Sequence, residues 1–152
     1  MPERLCLSVE TPLGPLAVVE EAGEVVAVDW HGRGTDRTAV LERAADQIRD
    51  YFSGTGRGFD LPLRLAGGLT GQVQQAMLAI PFGETRTYGD LARELGASAQ
   101  AVGQACGGNT IPVIIPCHRI LGANGLGGFS APGGIETKVA LLKHEGAAGL
   151  LI

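Results

Sequence analysis

The chain has 152 residues, 45% of them hydrophobic, so it is long enough to bury one core or the cores of a small lobe and a main lobe. Its formal net charge of −4 excludes a protein whose affinity depends on a broad basic surface, and no apolar run approaches the ~20 residues of a membrane-spanning helix. The three cysteines have neither disulfide-framework spacing nor a metal-binding pattern, which indicates free thiols, no metal site and a cytoplasmic protein.

The first half of the chain predicts a small antiparallel sheet followed by one helix. Apolar and polar residues alternate over residues 5–9, and two further apolar runs lie at 16–19 and 25–30, which is typical of a three-stranded meander. Apolar residues at helical spacing predict a helix over 37–52. Residues 59–68 have no clear period and are expected to link two lobes.

A helix-turn-helix is predicted in the second half. Thr87 and Asp90 stand at the spacing of a capping box, with Asp in place of Glu or Gln. Gly96 suits the left-handed stop of this first helix, and Ser98 suits the N-cap of a second helix over 99–106. Two short helices joined by a glycine-containing turn are typical of this motif, although many such hairpins bind no DNA.

Further segments complete the second half. Thr70 is interpreted as the N-cap of a helix that ends before Pro81, and a last helix is predicted over 135–144. Six glycines lie between Gly122 and Gly134, without the Lys-Ser/Thr ending of a nucleotide-binding loop. The fold class is therefore α+β: a small lobe, 1–68, with an antiparallel sheet and a helix, and a mostly helical lobe, 69–152.

One apolar run carries reactive side chains. Cys117 is followed by His118 and Arg119, and both types of side chain lower the pKa of a neighbouring thiol. The pattern is short, and a buried cysteine is more often inert packing than a nucleophile. Cys6 and Cys106 are interpreted as small apolar filler.

The segment Pro116–Ile120 resembles the active-site motif of the O6-alkylguanine-DNA alkyltransferases, also called methylated-DNA–protein-cysteine methyltransferases. Other segments over residues 72–146 are similar to that family in order and spacing. They are Ile80–Glu84, Thr87–Ala92, Ala101–Gly103, Asn109, Ile114–Ile115, Gly128–Ser130, Lys138–Leu142 and His144–Gly146. The first lobe is similar only in outline; in the family it is ribonuclease H-like, and the second lobe carries a winged-helix-like helix-turn-helix.

The resemblance implies DNA repair by irreversible, single-turnover transfer of an alkyl group from guanine O6, with thymine O4 as a second substrate, to a cysteine of the protein. Cys117 would be the acceptor, and His118 would act as general base through a bridging water. Glu145 would orient His118, and Asn109 would brace the backbone before the active-site run. From the residues alone, a histidine such as His118 is more often structural than catalytic, and Glu145 is equally a solvated carboxylate. No cofactor is implied, and a monomer is expected.

The resemblance also implies a pocket for a guanine extruded from duplex DNA. Tyr88 would reach the base or a flanking phosphate; the alternative is an amphipathic surface aromatic. Pro112 and Phe129 would line the pocket, Phe129 standing where many relatives have Tyr. Ser130 would donate to guanine O6. Arg119 would serve the structure or contact a phosphate.

Double-stranded DNA containing O6-alkylguanine is the implied partner, and Ala101 and Gly103 suit close approach of a helix to the groove. Gln100 departs from the family, which usually has an arginine here to hold the gap left by the flipped base. Arg86 and Arg93 are the nearest positive charges, and residues 71–152 carry no net charge. We therefore expect weaker and less salt-sensitive DNA binding than in an arginine-bearing relative.

Two other classes of function compete with a repair enzyme. Alkyltransferase-like damage sensors resemble the family but replace the nucleophile, so the presence of Cys117 argues against them. A cysteine hydrolase would need an oxyanion hole and continuous turnover, and an unrelated helix-turn-helix regulator would not need Cys117.

Overall fold

The computed structural model describes residues 3–123 and 125–147, and the chain divides into two compact units, Met1–Arg64 and Leu65–Ile152. The sequence placed this division at 68/69. Arg64 belongs to the first unit because its backbone N–H donates to the Val25 carbonyl over 3.0 Å and its guanidinium donates to Glu21 and Glu24. Among the described residues, no helix is both long and apolar enough to cross a membrane.

The first unit is an antiparallel sheet with one helix packed against it, as predicted. Strands β1 (Arg4–Val9), β2 (Leu16–Glu21) and β3 (Glu24–Trp30) pair in the order β1-β2-β3. Helix α1 (Ala39–Ser53) begins after Thr38, whose hydroxyl accepts from a backbone N–H of the first turn. It buries one apolar face against β1 and β2.

The second unit is mostly helical. Its elements are α2 (Gly68–Leu78), β4 (Arg86–Thr87), α3 (Tyr88–Leu95), α4 (Ala99–Gly107), a single 3-10 turn (Cys117–Arg119), β5 (Ile120–Leu121) and α5 (Ile135–Glu145). The parallel pair β4–β5 joins the start of α3 to the end of the 3-10 turn. The sequence did not predict this pair, because two residues are too few to show an alternating pattern.

Helices α3 and α4 form the predicted helix-turn-helix. The Thr87 hydroxyl accepts from the Asp90 N–H and the Asp90 carboxylate accepts from the Thr87 N–H, each over 3.0 Å, so the capping box is complete. Gly96 ends α3 in the left-handed conformation at φ +66°, and the Ser98 hydroxyl caps α4 by accepting from the Ala101 N–H. Two capping hydroxyls and one glycine in the left-handed conformation therefore set these three helix ends.

The N-cap predicted for α2 was wrong. The helix begins after Gly67, which makes no side-chain cap, and Thr70 lies inside the first turn. A side chain at Gly71 would place its Cβ 2.0 Å from the Ala66 carbonyl oxygen. Because the backbone packs this closely where it enters α2, the helix begins two residues before the predicted cap, Thr70.

Candidate active site

A cavity of about 270 Å³ opens within the second unit. Its walls come from the start of α3, from α4, from the segment between α4 and the 3-10 turn, and from the glycine-rich loop before α5. Of the site residues expected from the sequence, it brings together Tyr88, Gly103, Asn109, Pro112, Cys117, Phe129 and Ser130. The cavity therefore brings together, beside the Cys117 thiol, residues that are far apart in the chain.

The backbone reaches Cys117 through two tight turns. The Ile114 N–H donates to the Pro112 carbonyl over 2.8 Å around Val113, whose φ is +70°. The Cys117 N–H donates to the Ile115 carbonyl over 2.8 Å around the next proline. A β-branched residue at positive φ costs about 1–3 kcal/mol and persists only where its surroundings hold it. Val113 is 1% exposed, so packing provides that restraint.

Asn109 ties this segment together with its side-chain amide. Its Nδ2 donates to the Ile115 carbonyl over 3.0 Å, and its Oδ1 accepts from the Ile111 N–H over 3.1 Å and from Gln74 Nε2 over 3.2 Å. Gln74 is 1% exposed and also accepts from the Ala66 N–H over 2.8 Å. Asn109 therefore links Ile111 to Ile115, and Gln74, which the helical pattern did not single out, links Asn109 to Ala66.

Behind the cavity, hydrogen bonds from His118, Arg119 and Gly83 converge on the Glu145 carboxylate. His118 Nε2 lies 2.7 Å away, Arg119 Nε and Nη2 lie 2.9 and 3.0 Å away, and the Gly83 N–H lies 3.3 Å away. Arg119 also donates to the Ile80 carbonyl over 2.7 Å. Because Arg119 is only 7% exposed and already holds these acceptors, the geometry favours its structural role over a phosphate contact.

Burial makes His118 neutral. Desolvation lowers its pKa below the ordinary value of 6.5, and this effect exceeds the opposing influence of Glu145. A neutral imidazole beside a carboxylate carries its proton on Nε2, which leaves Nδ1 as a proton acceptor. Nδ1 is buried and has no hydrogen-bond partner among the described residues.

The Cys117 thiol lies in surroundings that oppose its ionisation. Desolvation raises its pKa above the ordinary thiol value, while a hydrogen bond from Asn109 and the charge of Lys138 lower it. A base that removes its proton and a nearby positive charge would each favour the reactive thiolate.

Cys106 was expected to be apolar filler, but it lines the same cavity from α4. Burial, followed by the nearby Cys117, raises the pKa of Cys106 to about 12. The cavity thus contains two thiols, and Cys106 stays protonated at neutral pH. The spacing of α4 could not separate a core position from a cavity wall, since both are screened from solvent.

Tyr88 stands between two glycines at the side of the cavity. A Cβ at Gly127 would lie 2.9 Å from a ring carbon of Tyr88, and one at Gly103 would lie 4.0 Å from the opposite edge. Gly127 also has a φ of +73°, so glycine is required there both for space and for conformation. The glycine-rich loop was expected to lie close to a bound base, and in the structure its backbone lies close to the Tyr88 ring.

Lys138 of α5 is fully buried, with 0% exposure. Its Nζ donates to the carbonyls of Ile120 over 2.6 Å, Leu126 over 2.5 Å and Gly128 over 3.2 Å. No role for this lysine is predictable from the sequence, because its hydrogen-bond partners are main-chain carbonyls, which any residue type provides.

Two predicted residues lie outside the cavity. Gln100 and Ala101 occupy the first turn of α4, where Gln100 is exposed and Ala101 is half-buried. Arg86 and Arg93 of the β4–α3 segment, the preceding cations in the sequence, form ion pairs with Glu94 and Asp90. The exposed surface of the helix-turn-helix therefore carries little free positive charge.

Comparison with known proteins places these features in a family. Residues 69–147 match the family profile described as the DNA-binding domain of 6-O-methylguanine DNA methyltransferase. A methylated-DNA–protein-cysteine methyltransferase of Mycobacterium tuberculosis is 38% identical over 154 residues, which span 91% of this chain and 90% of the relative. The constitutive enzyme of Bacillus subtilis is 37% identical over 151 residues, spanning 90% and 92%.

Solved structures agree with the sequence matches. The crystal structure of the O6-methylguanine methyltransferase of M. tuberculosis superposes with a TM-score of 0.84 at 34% identity, covering 95% of this chain and 93% of that one. The M. tuberculosis protein in complex with DNA gives a TM-score of 0.80 at 36% identity, covering 92% of each chain. The chain belongs to the methylated-DNA–protein-cysteine methyltransferases, the family of O6-alkylguanine-DNA alkyltransferases.

Proposed function

We propose that Cys117 accepts an alkyl group from guanine O6 in duplex DNA, and from thymine O4 as a second substrate, and that each molecule reacts once. The observation that carries this proposal is the Cys117 thiol in the wall of the cavity that Asn109 also lines, with the His118–Glu145 pair behind it. Members of the family share the name of this activity, and the one from M. tuberculosis has been solved with DNA.

The transfer balances without a cofactor. A sulfur lone pair of Cys117 forms the new S–C bond, and the electron pair of the C–O6 bond passes to the departing guanine, which takes up a proton. We propose that His118 removes the thiol proton through one bridging water, using its free Nδ1. Glu145 holds the imidazole in that orientation, and Arg119 balances the carboxylate charge.

The cavity supports binding of an extruded base, because a base within the duplex stack cannot bring O6 to a buried thiol. In this proposal the ring of Phe129 stacks on the guanine and Pro112 covers its other side. Ser130 donates to O6, and Tyr88 contacts the base or its flanking phosphate. All four line the cavity beside Cys117.

Duplex DNA is proposed to lie against α4. Its first turn offers Gln100 and Ala101 at the surface, and Gly103 follows one turn later without a side chain. Gln100 would fill the gap left by the flipped base without adding a charge. The acid pairing of Arg86 and Arg93 supports the expected weak dependence of binding on salt.

Intact-mass spectrometry after incubation with a duplex containing O6-methylguanine tests the proposal. We expect one added methyl group per molecule, located on Cys117 by peptide mapping, and no further turnover. Cys117→Ser should abolish the adduct, whereas Cys106→Ser, the matched change in the same cavity, should keep it. A second duplex with O4-methylthymine tests the wider substrate range.

The outcomes separate the competing functions. Unmodified protein that still binds the damaged duplex would support a damage sensor. Continuous turnover would support a hydrolase or another catalytic enzyme. A methyl group on Cys106 rather than Cys117 would overturn the assignment of the acceptor.

A further inference from the structure

We propose that Lys138 is a positioning residue for the transfer: its buried ammonium fixes one wall of the cavity and supplies the positive charge that favours the Cys117 thiolate. This inference rests on the proposed role of Cys117 as the acceptor. It concerns a residue on a different element, α5, that does not line the cavity.

The mechanical part of this role follows from the hydrogen bonds of Nζ. Its three acceptors are main-chain carbonyls, one on β5 at Ile120 and two on the glycine-rich loop at Leu126 and Gly128. Gly128 lines the cavity and directly precedes Phe129 and Ser130. A single ammonium thus ties the loop that carries these side chains to the strand that follows the active-site turn.

The electrostatic part follows from what surrounds the thiol. Nζ lies 5.9 Å from the centre of the Tyr88 ring, which forms another wall of the cavity. Desolvation lowers the pKa of Lys138 below the ordinary value of 10.5, and this effect exceeds the opposing influence of the Cys117 and Cys106 thiols. The charge of Lys138 in turn lowers the pKa of Cys117. The three carbonyls that accept from Nζ favour its protonated form and so counter part of that desolvation.

The other groups around Cys117 do not replace this charge. His118 is held neutral by burial, and the guanidinium of Arg119 is paired with the Glu145 carboxylate. Tyr88 and Cys106 both have raised pKa values, so they are uncharged at neutral pH. Lys138 is therefore the cation that we expect to set the ionisation of the nucleophile.

The test measures thiolate formation without DNA. Iodoacetamide reacts with the Cys117 thiolate by forming an S–C bond and releasing iodide, so its rate against pH reports the pKa of the thiol. Peptide mass spectrometry separates Cys117 from the other two cysteines. In Lys138→Met we expect the midpoint to rise by about one pH unit, which is about a tenfold slower reaction below the midpoint. Lys143→Met removes an exposed lysine from the same helix and should leave the midpoint in place.

A purely structural lysine would lower the thermal stability of Lys138→Met without moving the midpoint, and that result would overturn the inference. If this variant does not fold, the coupling can be read in the unsubstituted protein. The pKa of the Lys138 ammonium, followed by NMR, should fall once Cys117 carries the neutral carbamidomethyl group, because coupling between two sites is reciprocal. An unchanged pKa of Lys138 would equally overturn it.

A second measurement, the rate of methyl transfer from the damaged duplex to the same variants, distinguishes a failure of this inference from a failure of the proposed function. If both stand, Lys138→Met transfers the methyl group at least about tenfold more slowly, because less Cys117 is ionised and the loop that carries Phe129 and Ser130 is no longer tied to β5. If the unsubstituted protein transfers no methyl group but the iodoacetamide midpoint still shifts, the proposed function fails and the role of Lys138 in thiol ionisation stands.

Discussion

Glu145 and its partners form a buried charged cluster in which each member depends on the others. The carboxylate has Arg119 as its counter-ion, and it fixes the imidazole of His118 through one 2.7 Å hydrogen bond. A buried charge that loses its partner costs several kcal/mol, so the cluster is an all-or-none arrangement. The hydrogen bond to Glu145 keeps the proton of His118 on Nε2 and fixes the orientation of the imidazole ring.

The stability of the protein should depend on pH through His118. Because burial lowers its pKa, the folded protein binds fewer protons than the unfolded chain at a pH below about 6.5. The free energy of unfolding should therefore fall as the pH decreases from about 7.5 to about 5.5, by up to ~1.4 kcal/mol per pH unit from this group. Urea unfolding at several pH values measures it.

Two substitutions isolate the contribution of this histidine. His118→Asn should flatten the pH dependence in that window, whereas His144→Asn, a half-buried histidine of the same helical unit, should leave the slope contributed by His118 unchanged. Equal slopes in the unsubstituted protein and in His118→Asn would show that His118 titrates in the folded state as it does in the unfolded chain.

Among the secondary-structure elements, α3 and α4 link the exposed surface to the cavity. Tyr88 is the first residue of α3 and lines the cavity, while Gln100 stands on the exposed first turn of α4. The two helices are fixed at their N-termini by Thr87 and Ser98. Changes at these ends should therefore affect both stability and DNA binding.

The capping box should be measurable as stability. Thr87→Ala removes the hydroxyl that accepts from the Asp90 N–H, and we expect a loss of about 1 kcal/mol in the free energy of unfolding. Thr70→Ala is the matched control, because Thr70 resembles a cap in the sequence but lies inside α2. Urea denaturation of both variants checks the difference, and equal losses would contradict the assignment of the cap.

The charge at the start of α4 should control how DNA binding responds to salt. Gln100→Arg adds one cation where DNA is proposed to lie, so we expect tighter duplex binding and a steeper fall of the affinity with salt, by about one unit in the logarithmic slope. Fluorescence anisotropy at several salt concentrations measures both. Gln75→Arg adds the same charge on the exposed face of α2 and should alter neither; an equal effect of the two variants would mean that only net charge matters.

Across the whole chain, secondary structure and helix caps could be predicted from the sequence, whereas polar contacts between residues distant in sequence could not. The sheet and the helix-turn-helix follow from periodicity and helix caps, whereas the site around Cys117 is predicted through the resemblance of its motifs to the family. The roles of Lys138 and Gln74 could not be predicted, because the sequence pattern of a helix does not distinguish a buried lysine or glutamine from an exposed one. Their partners include main-chain carbonyls and an asparagine side chain distant in sequence.

The pairing of β4 with β5 restricts where the chain can accept inserted residues. Arg86 pairs with Ile120 and Thr87 with Leu121, so the residue before Tyr88 and the end of the active-site turn share one register. A single residue inserted between Cys117 and Ile120 would slip that register and move the nucleophile relative to the cavity wall. In descendants of this protein, insertions should instead accumulate at the exposed turn of Ala22 and Gly23, between two strands of the first unit.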